Sequence, residues 1–222
     1  MSQVNTQLAY ILHKRFYRET SQIIEVFSRD HGRLSLMSRG SRGSKSRIAG
    51  HLQLFSPLLL GWQGKGSMPY LRTVERADIK PPVLPRQSLL SAMYINELLI
   101  YLVHKHDAQS GIFDYYHQCL YALQNTTQIE IELRKFEIKM LALLGFGLQL
   151  EHDADSGKKI LAAQNYHYYV EHGPIACNEL KVNQPTVGRI TKQGSKPVYS
   201  ISPPFIQGRT LLALLKEDYA LI

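Results

Sequence analysis

The chain has 222 residues, 44% of them apolar, with 26 Lys+Arg against 18 Asp+Glu and a net charge of +8. This length holds one large domain or two small ones, and this apolar content builds a core, which excludes a chain disordered throughout. Two cysteines, Cys119 and Cys177, exclude a disulfide framework and a four-cysteine zinc site; with Leu8 to Leu12 too short for a secretory signal and no run near the ~20 apolar residues of a membrane helix, a soluble cytoplasmic protein is expected.

The charge is unevenly placed. Residues 1 to 80, up to the cluster Pro81, Pro82, Pro85, carry thirteen basic and five acidic side chains, while the rest of the chain is balanced. Such asymmetry predicts two modules, the first of which meets a polyanion: nucleic acid first, an anionic membrane surface second.

From Leu8 to Glu75 the apolar period is that of strands. Ser21 to Ser28 is rich in β-branched and aromatic residues, and Arg33 to Ser38 alternates polar with apolar. Arg29-Asp30-His31-Gly32 between them supplies a turn, with Gly32 free to take positive φ, so the pair reads as a β-hairpin. His51 to Phe55 and Leu58 to Trp62 read as further strand broken by Pro57, and Tyr70 to Glu75 alternates again. About five short strands in this space predict a small closed antiparallel barrel.

After the prolines the period becomes helical. Gln87 to Val103 predicts a mostly buried helix, with Leu90, Met93 and Glu97 on one diagonal, Leu89, Leu98, Leu99 and Leu102 on a stripe beside it, and Ser88 placed to cap its start. Ile112 to Leu123 predicts a second helix. Ile129 to Leu144 predicts a third, with Gly145 as its stop and Glu130, Glu132 ahead of Arg134, Lys135 and Lys139 in the order that suits the macrodipole. Residues 151 to 205 read as irregular around one hairpin, Tyr166 to Val170 with His172 to Cys177, and Gly208 to Tyr219 resumes a helix. The apolar ending Tyr219-Ala220-Leu221-Ile222 is unusual for a natural terminus and predicts a chain that once continued.

No phosphate-binding Gly loop with Lys-Ser/Thr, no Gly-x-Ser-x-Gly and no His-Glu-x-x-His is present, so neither ATP hydrolysis nor any catalytic residue is expected. His152, Asp153, Asp155, His167 and His172 match no metal-ligand spacing and read as solvated loop side chains; no metal and no cofactor are expected. Both cysteines read as structural. Arg39-Gly40-Ser41-Arg42-Gly43-Ser44-Lys45-Ser46-Arg47 is different. It interleaves cations with small residues that add hydroxyl and amide donors and admit a phosphate backbone, binding phosphates without reading bases. Phe16, Tyr17, Phe27, Phe55 and Tyr70 are candidate stacking platforms for single-stranded bases. Each alone is more readily barrel core, and Phe16 and Tyr17, between Arg15 and Arg18, are best placed for exposure.

The order Ala9-Tyr10-Ile11-Leu12-His13, Glu19-Thr20-Ser21, Gly32-Arg33, Arg39-Gly40-Ser41-Arg42 and Leu54-Phe55-Ser56-Pro57-Leu58 resembles the N-terminal oligonucleotide-binding (OB) barrel of the bacterial RecO family. Tyr94-Ile95-Asn96-Glu97-Leu98-Leu99, and Leu133 to Glu137 leading to Leu144-Gly145-Phe146-Gly147, resemble its helical part. The likeness covers most of residues 8 to 150 and is weaker beyond. It implies an α+β protein: an OB-fold five-stranded barrel at 1–80, then an α-helical domain at 81–222 with a small irregular insertion at 151–205. It implies a non-enzymatic DNA repair protein of RecF-pathway recombination. Such a protein binds single- and double-stranded DNA, anneals complementary strands without ATP, pairs with RecR, holds the acidic C-terminal tail of the single-stranded DNA-binding protein, and so helps load RecA. Localisation would be cytoplasmic and nucleoid-associated. Many members carry a four-cysteine zinc motif after the third helix; with Cys177 alone there, this chain looks like the zinc-less branch.

The candidate DNA-binding set is Lys14, Arg15, Arg18, Arg33, Arg39, Arg42, Lys45, Arg47, Lys65 and Arg72. The candidate tail-binding set is Leu133, Arg134, Lys135 and Phe136, although Arg134 reads equally well as a surface partner of Glu130 or Glu137. The alternatives are an RNA-binding or translation-linked OB protein whose helices are a dimerisation scaffold, and, further off, a nuclease with scattered carboxylates.

Overall fold

The computed structural model describes residues 3–43, 46, 48–64, 66–170, 172–177 and 204–219. Lys45, Arg47, Lys65, most of the 178–205 stretch and the apolar end at 220–222 lie outside the described residues.

Five strands, β1 (Gln3–Tyr17), β2 (Ser21–Ser28), β3 (Gly32–Ser38), β4 (Leu58–Gln63) and β5 (Tyr70–Arg76), form a closed barrel in the order β1-β2-β3-β5-β4. All pairings are antiparallel except the closure of β3 on β5 at Met37 and Tyr70, which is the arrangement of an OB fold. Alternation fills it: Ala9, Ile11, Ile24, Val26, Leu34, Leu36, Leu58, Leu60 and Trp62 make the interior, closed by Leu52. The segment 51–55, expected as strand, instead holds a 3₁₀ turn (Ala49–His51) and a single bridge from Leu54 to Ile11. Phe55, at φ 61°, and Pro57 prevent it from continuing as a ladder.

β1 contains one residue more than its partner. Ile11 pairs with Val26 but His13 with Glu25, so Leu12 is a bulge. Beyond it the alternation is reset: Lys14 and Phe16, opposite Ile24 and Gln22, take the face that Ala9 and Ile11 hold below. A bulged residue's backbone falls out of the ladder, and here the Leu12 carbonyl accepts a hydrogen bond from Asn96 Nδ2 at 2.9 Å.

Three helices follow, α1 (Arg86–Leu102), α2 (Ser110–Asn125) and α3 (Ile129–Leu143). Pro85, not Ser88, is the cap residue of α1; Ser88 lies buried within its first turn. The buried stripe of α1 is Ser88, Ala92, Ile95, Asn96 and Leu99, mixed in size and partly polar, whereas Leu89, Leu90, Met93 and Leu102 are exposed. The expectation of a mostly buried helix is corrected: one face, Leu99 of the expected stripe included, is buried, and the expected leucines Leu89, Leu90 and Leu102 with Met93 face outward. Gly145, at φ 91°, ends the last helix region as expected.

The barrel and these helices share one compact unit that runs to Leu143, beyond the expected boundary at residue 80. Tyr10 and Phe27, on the outer barrel face, meet Phe113 and Tyr116 of α2 with ring centroids 5.1 to 6.4 Å apart. Each buried ring contributes about 1.5–3 kcal/mol. Arg29 makes two 3.0 Å bonds to Asp114. Gly32, at φ 66°, lies so close to the connector after α1 that a Cβ there would sit 1.9 Å from the Asp107 carbonyl oxygen.

The second unit, from Leu144 on, contains a sheet of β6 (Asn165–Tyr169) between β7 (Gly173–Cys177) and β8 (Phe205–Gln207), followed by α4 (Gly208–Leu215). Leu150, Ile160, Tyr166 and Leu211 form its core. Among the described residues no helix is long and apolar enough to cross a membrane.

Candidate nucleic-acid interface

Two loops and the strand ends beside them bring the cations together. The β1–β2 turn, Arg18-Glu19-Thr20, is tight enough to place Arg18 at φ 54°. After β3 the chain turns through Arg39 to Arg42 and is tied back: Ser41 Oγ donates to the Ser38 carbonyl at 3.0 Å, the Arg42 amide to the Thr20 carbonyl at 3.0 Å, and the Arg42 guanidinium to the Arg18 carbonyl at 2.9 Å. The Met37 amide donates to the Pro69 carbonyl at 2.8 Å, bringing the start of β5 to the same end of the barrel.

Three arginines there lie over aromatic rings. Arg42 is 3.8 Å from the Phe16 centroid, Arg39 4.0 Å from that of Tyr70, and Arg18 5.3 Å from that of Tyr17. The rings belong to strand ends and the cations to loops. Phe16 is 75% exposed and Tyr70 41%. Among the described residues no acidic side chain pairs with Arg18, Arg39 or Arg42, so their charge is available to an anion. Arg72 lies two residues along β5 from Tyr70, and Arg15 next to Phe16; both are exposed.

Two expected cations do not belong to this cluster. Arg33 has a side chain only 13% exposed, bonds Glu25 at 3.2 Å and donates through Nε to the Val103 carbonyl at 2.9 Å. With Lys105, 3.6 Å from Glu25, it fastens barrel to helices. Its place in the candidate set is corrected, because its charge is neutralised inside the protein. Lys14 stands at the barrel rim, where Nζ donates to the Leu52 carbonyl at 2.7 Å.

Of the five aromatics, Phe27 and Phe55 are core, and Phe16 and Tyr17 are exposed as their charged neighbours predicted. Tyr70 is the ring that sequence reasoning undervalued. Its signal was position: first residue of a strand after the Gly64 to Pro69 loop.

The candidate tail-binding residues diverge. Phe136 is 2% exposed and belongs to the helical core. Lys135 bonds Glu132 at 2.8 Å and Arg134 bonds Glu137 at 2.6 Å, so of the partners open to Arg134 the structure has Glu137. The other Glu137 oxygen accepts from Tyr94 Oη at 2.8 Å. Tyr94 borders an apolar groove of about 580 Å³ with Leu90, Met93 and Tyr101 of α1 and Leu54 of the barrel.

Among the described residues no three His, Cys, Asp or Glu side chains come together as metal ligands. Asp153 is buried instead in a hydrogen-bonded knuckle, Cys119 is buried, and burial pushes its thiol up to about 12.

Fold and surface together define a class: an OB-barrel protein with loop cations stacked on strand-end rings and a helical module built onto the barrel. Two family models match the chain, Recombination protein O N terminal over residues 1–79 and Recombination protein O C terminal over residues 86–196. A protein from Nitrosospira multiformis named DNA repair protein RecO is 36% identical over 215 residues, covering 96% of this chain and 80% of the relative. Proteins of the same name from Aliivibrio fischeri and Azoarcus sp. are 41% identical over 170 residues and 35% over 219, covering 77% and 98% of this chain and 71% and 82% of the relatives. The chain belongs to the RecO family of DNA repair proteins.

Proposed function

We propose that the chain is a non-catalytic repair protein that holds DNA by its phosphates at the β1–β2 end of the barrel and anneals complementary strands without ATP. The observation that carries this reading is the cluster of Arg18, Arg39 and Arg42, none paired with an acid among the described residues, in and beside the β1–β2 loop, one of the loops through which OB folds take oligonucleotides. Neutralising both strands on one basic surface lowers their repulsion and leaves the base edges free to pair. Lys45, Arg47 and Lys65 extend the same charge in sequence.

The test joins two measurements. The protein should accelerate annealing of complementary oligonucleotides without nucleotide. Arg39→Ala with Arg42→Ala should weaken duplex binding and flatten its salt dependence by about 0.9 per lost phosphate contact. Unchanged affinity and slope would remove the barrel from the mechanism.

On the helical side, the reading is recruitment of RecR and of the acidic tail of the single-stranded DNA-binding protein, and so assistance to RecA loading. A tail ending in an apolar residue and a free carboxylate requires an apolar groove with a cation at its edge. Leu90, Met93 and Tyr94 line an apolar groove, and Tyr94 is bonded to Glu137, whose other oxygen pairs with Arg134, the nearest candidate cation of the tail-binding set. A labelled acidic peptide ending in Phe should bind, and Arg134→Ala should weaken it several-fold; unaltered binding would move the site elsewhere.

A further inference from the structure

Each of the exposed rings Phe16, Tyr17 and Tyr70 at the barrel end has a loop arginine over one face and stays open on the rest. The arginines are not free to wander at the backbone. Ser41 is buried and bonded to Ser38, the Arg42 amide is held by Thr20, and the start of β5 is held by the Met37–Pro69 bond, so each guanidinium is delivered to its ring by a fixed turn. Among the described residues the guanidinium is held by the ring and, for Arg42, by one 2.9 Å bond to an exposed carbonyl. Both interactions are weak beside a charge-assisted bond to phosphate.

The bulge at Leu12 supplies the geometric half. It turns Phe16 onto the face continuous with the barrel interior, the face toward which Arg42 also leans. A ring in that position, and a second one at Tyr70, on the outer face at the start of β5 beside Met37 and Gln63, present flat apolar surface with no core to fill. Such rings suit one ligand chemistry: the faces of unpaired bases. A duplex offers phosphates but keeps its base faces stacked on each other.

We propose that Phe16 and Tyr70 are base-stacking platforms that make this surface favour single over double strands, and that Arg42 and Arg39 lie over one face of each until an entering strand draws the guanidinium groups onto its phosphates. This rests on the nucleic-acid reading of the barrel and adds to it a division of labour. The arginines serve both kinds of DNA, and the rings serve only the unpaired kind.

The experiment measures affinity for an oligo-dT and for a duplex of equal length with the full chain, Phe16→Leu, Tyr70→Leu and the double variant. Base–aromatic stacking is worth enough that each single change should weaken oligo-dT binding about tenfold, with duplex affinity unchanged within twofold. Phe16→Trp should retain oligo-dT affinity, and its added emission should be quenched by oligo-dT but not by duplex. Unchanged oligo-dT affinity in the double variant, or an equal loss for both ligands with Phe16→Trp unquenched, overturns the platforms while leaving phosphate binding intact. If the unmodified chain binds neither ligand, the nucleic-acid reading itself fails, so the two failures are distinct.

Discussion

An antiparallel ladder pairs residue with residue, and Leu12 interrupts that pairing in β1. The interruption re-aims Phe16 and exposes a carbonyl that the barrel cannot satisfy. Asn96 answers the second problem: Nδ2 donates to Leu12, and Oδ1 accepts from the Tyr116 hydroxyl at 2.7 Å. All three groups are buried, so Asn96→Ala leaves one acceptor and one donor without partners. Each orphaned group costs about 1–3 kcal/mol, and the variant should lose about 3 kcal/mol of stability in urea unfolding, with little change in m-value. A loss below about 0.5 kcal/mol would mean that water replaces the amide, which the burial here does not allow. Asn96 lies in the stretch that carries the helical resemblance, but its role is not legible there, because a buried Asn in an apolar helical run looks like an error in the pattern until the bulge is seen.

At the scale of elements, legibility followed the strength of the periodic signal. The β2–β3 hairpin and the three helices were readable because alternation and helical spacing there are set by burial on a defined face. The 51–55 segment was misread because its apolar residues close the barrel end rather than pair along an edge. The exposed face of α1 was misread because apolar residues lie on both faces, so periodicity alone does not say that Ile95 and Leu99 pack inward while Leu89, Leu90 and Met93 face out. The interface cations were legible as a run and Phe16 and Tyr17 as exposed rings, but which arginine lies over which ring was not, since stacking depends on which strand end meets which loop. In the second unit a carboxylate does local work that spacing alone conceals. Enclosure would raise the Asp153 pKa, but hydrogen bonds from Ser156 N–H and Oγ at 2.6 and 2.7 Å and from the Ala176 amide at 2.6 Å hold it below its ordinary value. The folded state therefore favours the ionised form. That stabilisation is complete above the unfolded pKa of about 3.9 and is lost as pH falls through the lower folded pKa. Protection of the Ala176 amide against hydrogen exchange should accordingly decline below about pH 4 in the native chain. In Asp153→Asn it should already be weaker at pH 7 and flat across that window; a native profile retained by the variant would assign the protection to the β6–β7 ladder alone.

For the molecule as a whole, the excess positive charge and the shared core lie in the same unit but divide differently along the chain. The charge excess stops at residue 80, whereas the packing that supports the barrel continues to Leu143. A fragment of residues 1–80 would expose the outer faces of Tyr10 and Phe27, and would strip Arg33 of its Val103 acceptor and Leu12 of Asn96. Burial of the two rings the fragment holds, at about 1.5–3 kcal/mol each, with the two lost backbone partners, makes up much of what a small domain has in hand. The fragment 1–80 should therefore show no cooperative urea transition and should bind hydrophobic dye, while 1–143 should unfold in one transition. Because every candidate cation for phosphate lies before residue 80, 1–143 should also reproduce the oligonucleotide affinity and salt slope of the full chain. A cooperative transition in 1–80 would show that the barrel carries its own stability and that the helices are attached to it rather than part of it. The opposite result, 1–143 folded but with a reduced salt slope, would place phosphate contacts in the second unit, whose formal charge is close to balanced and where none are expected.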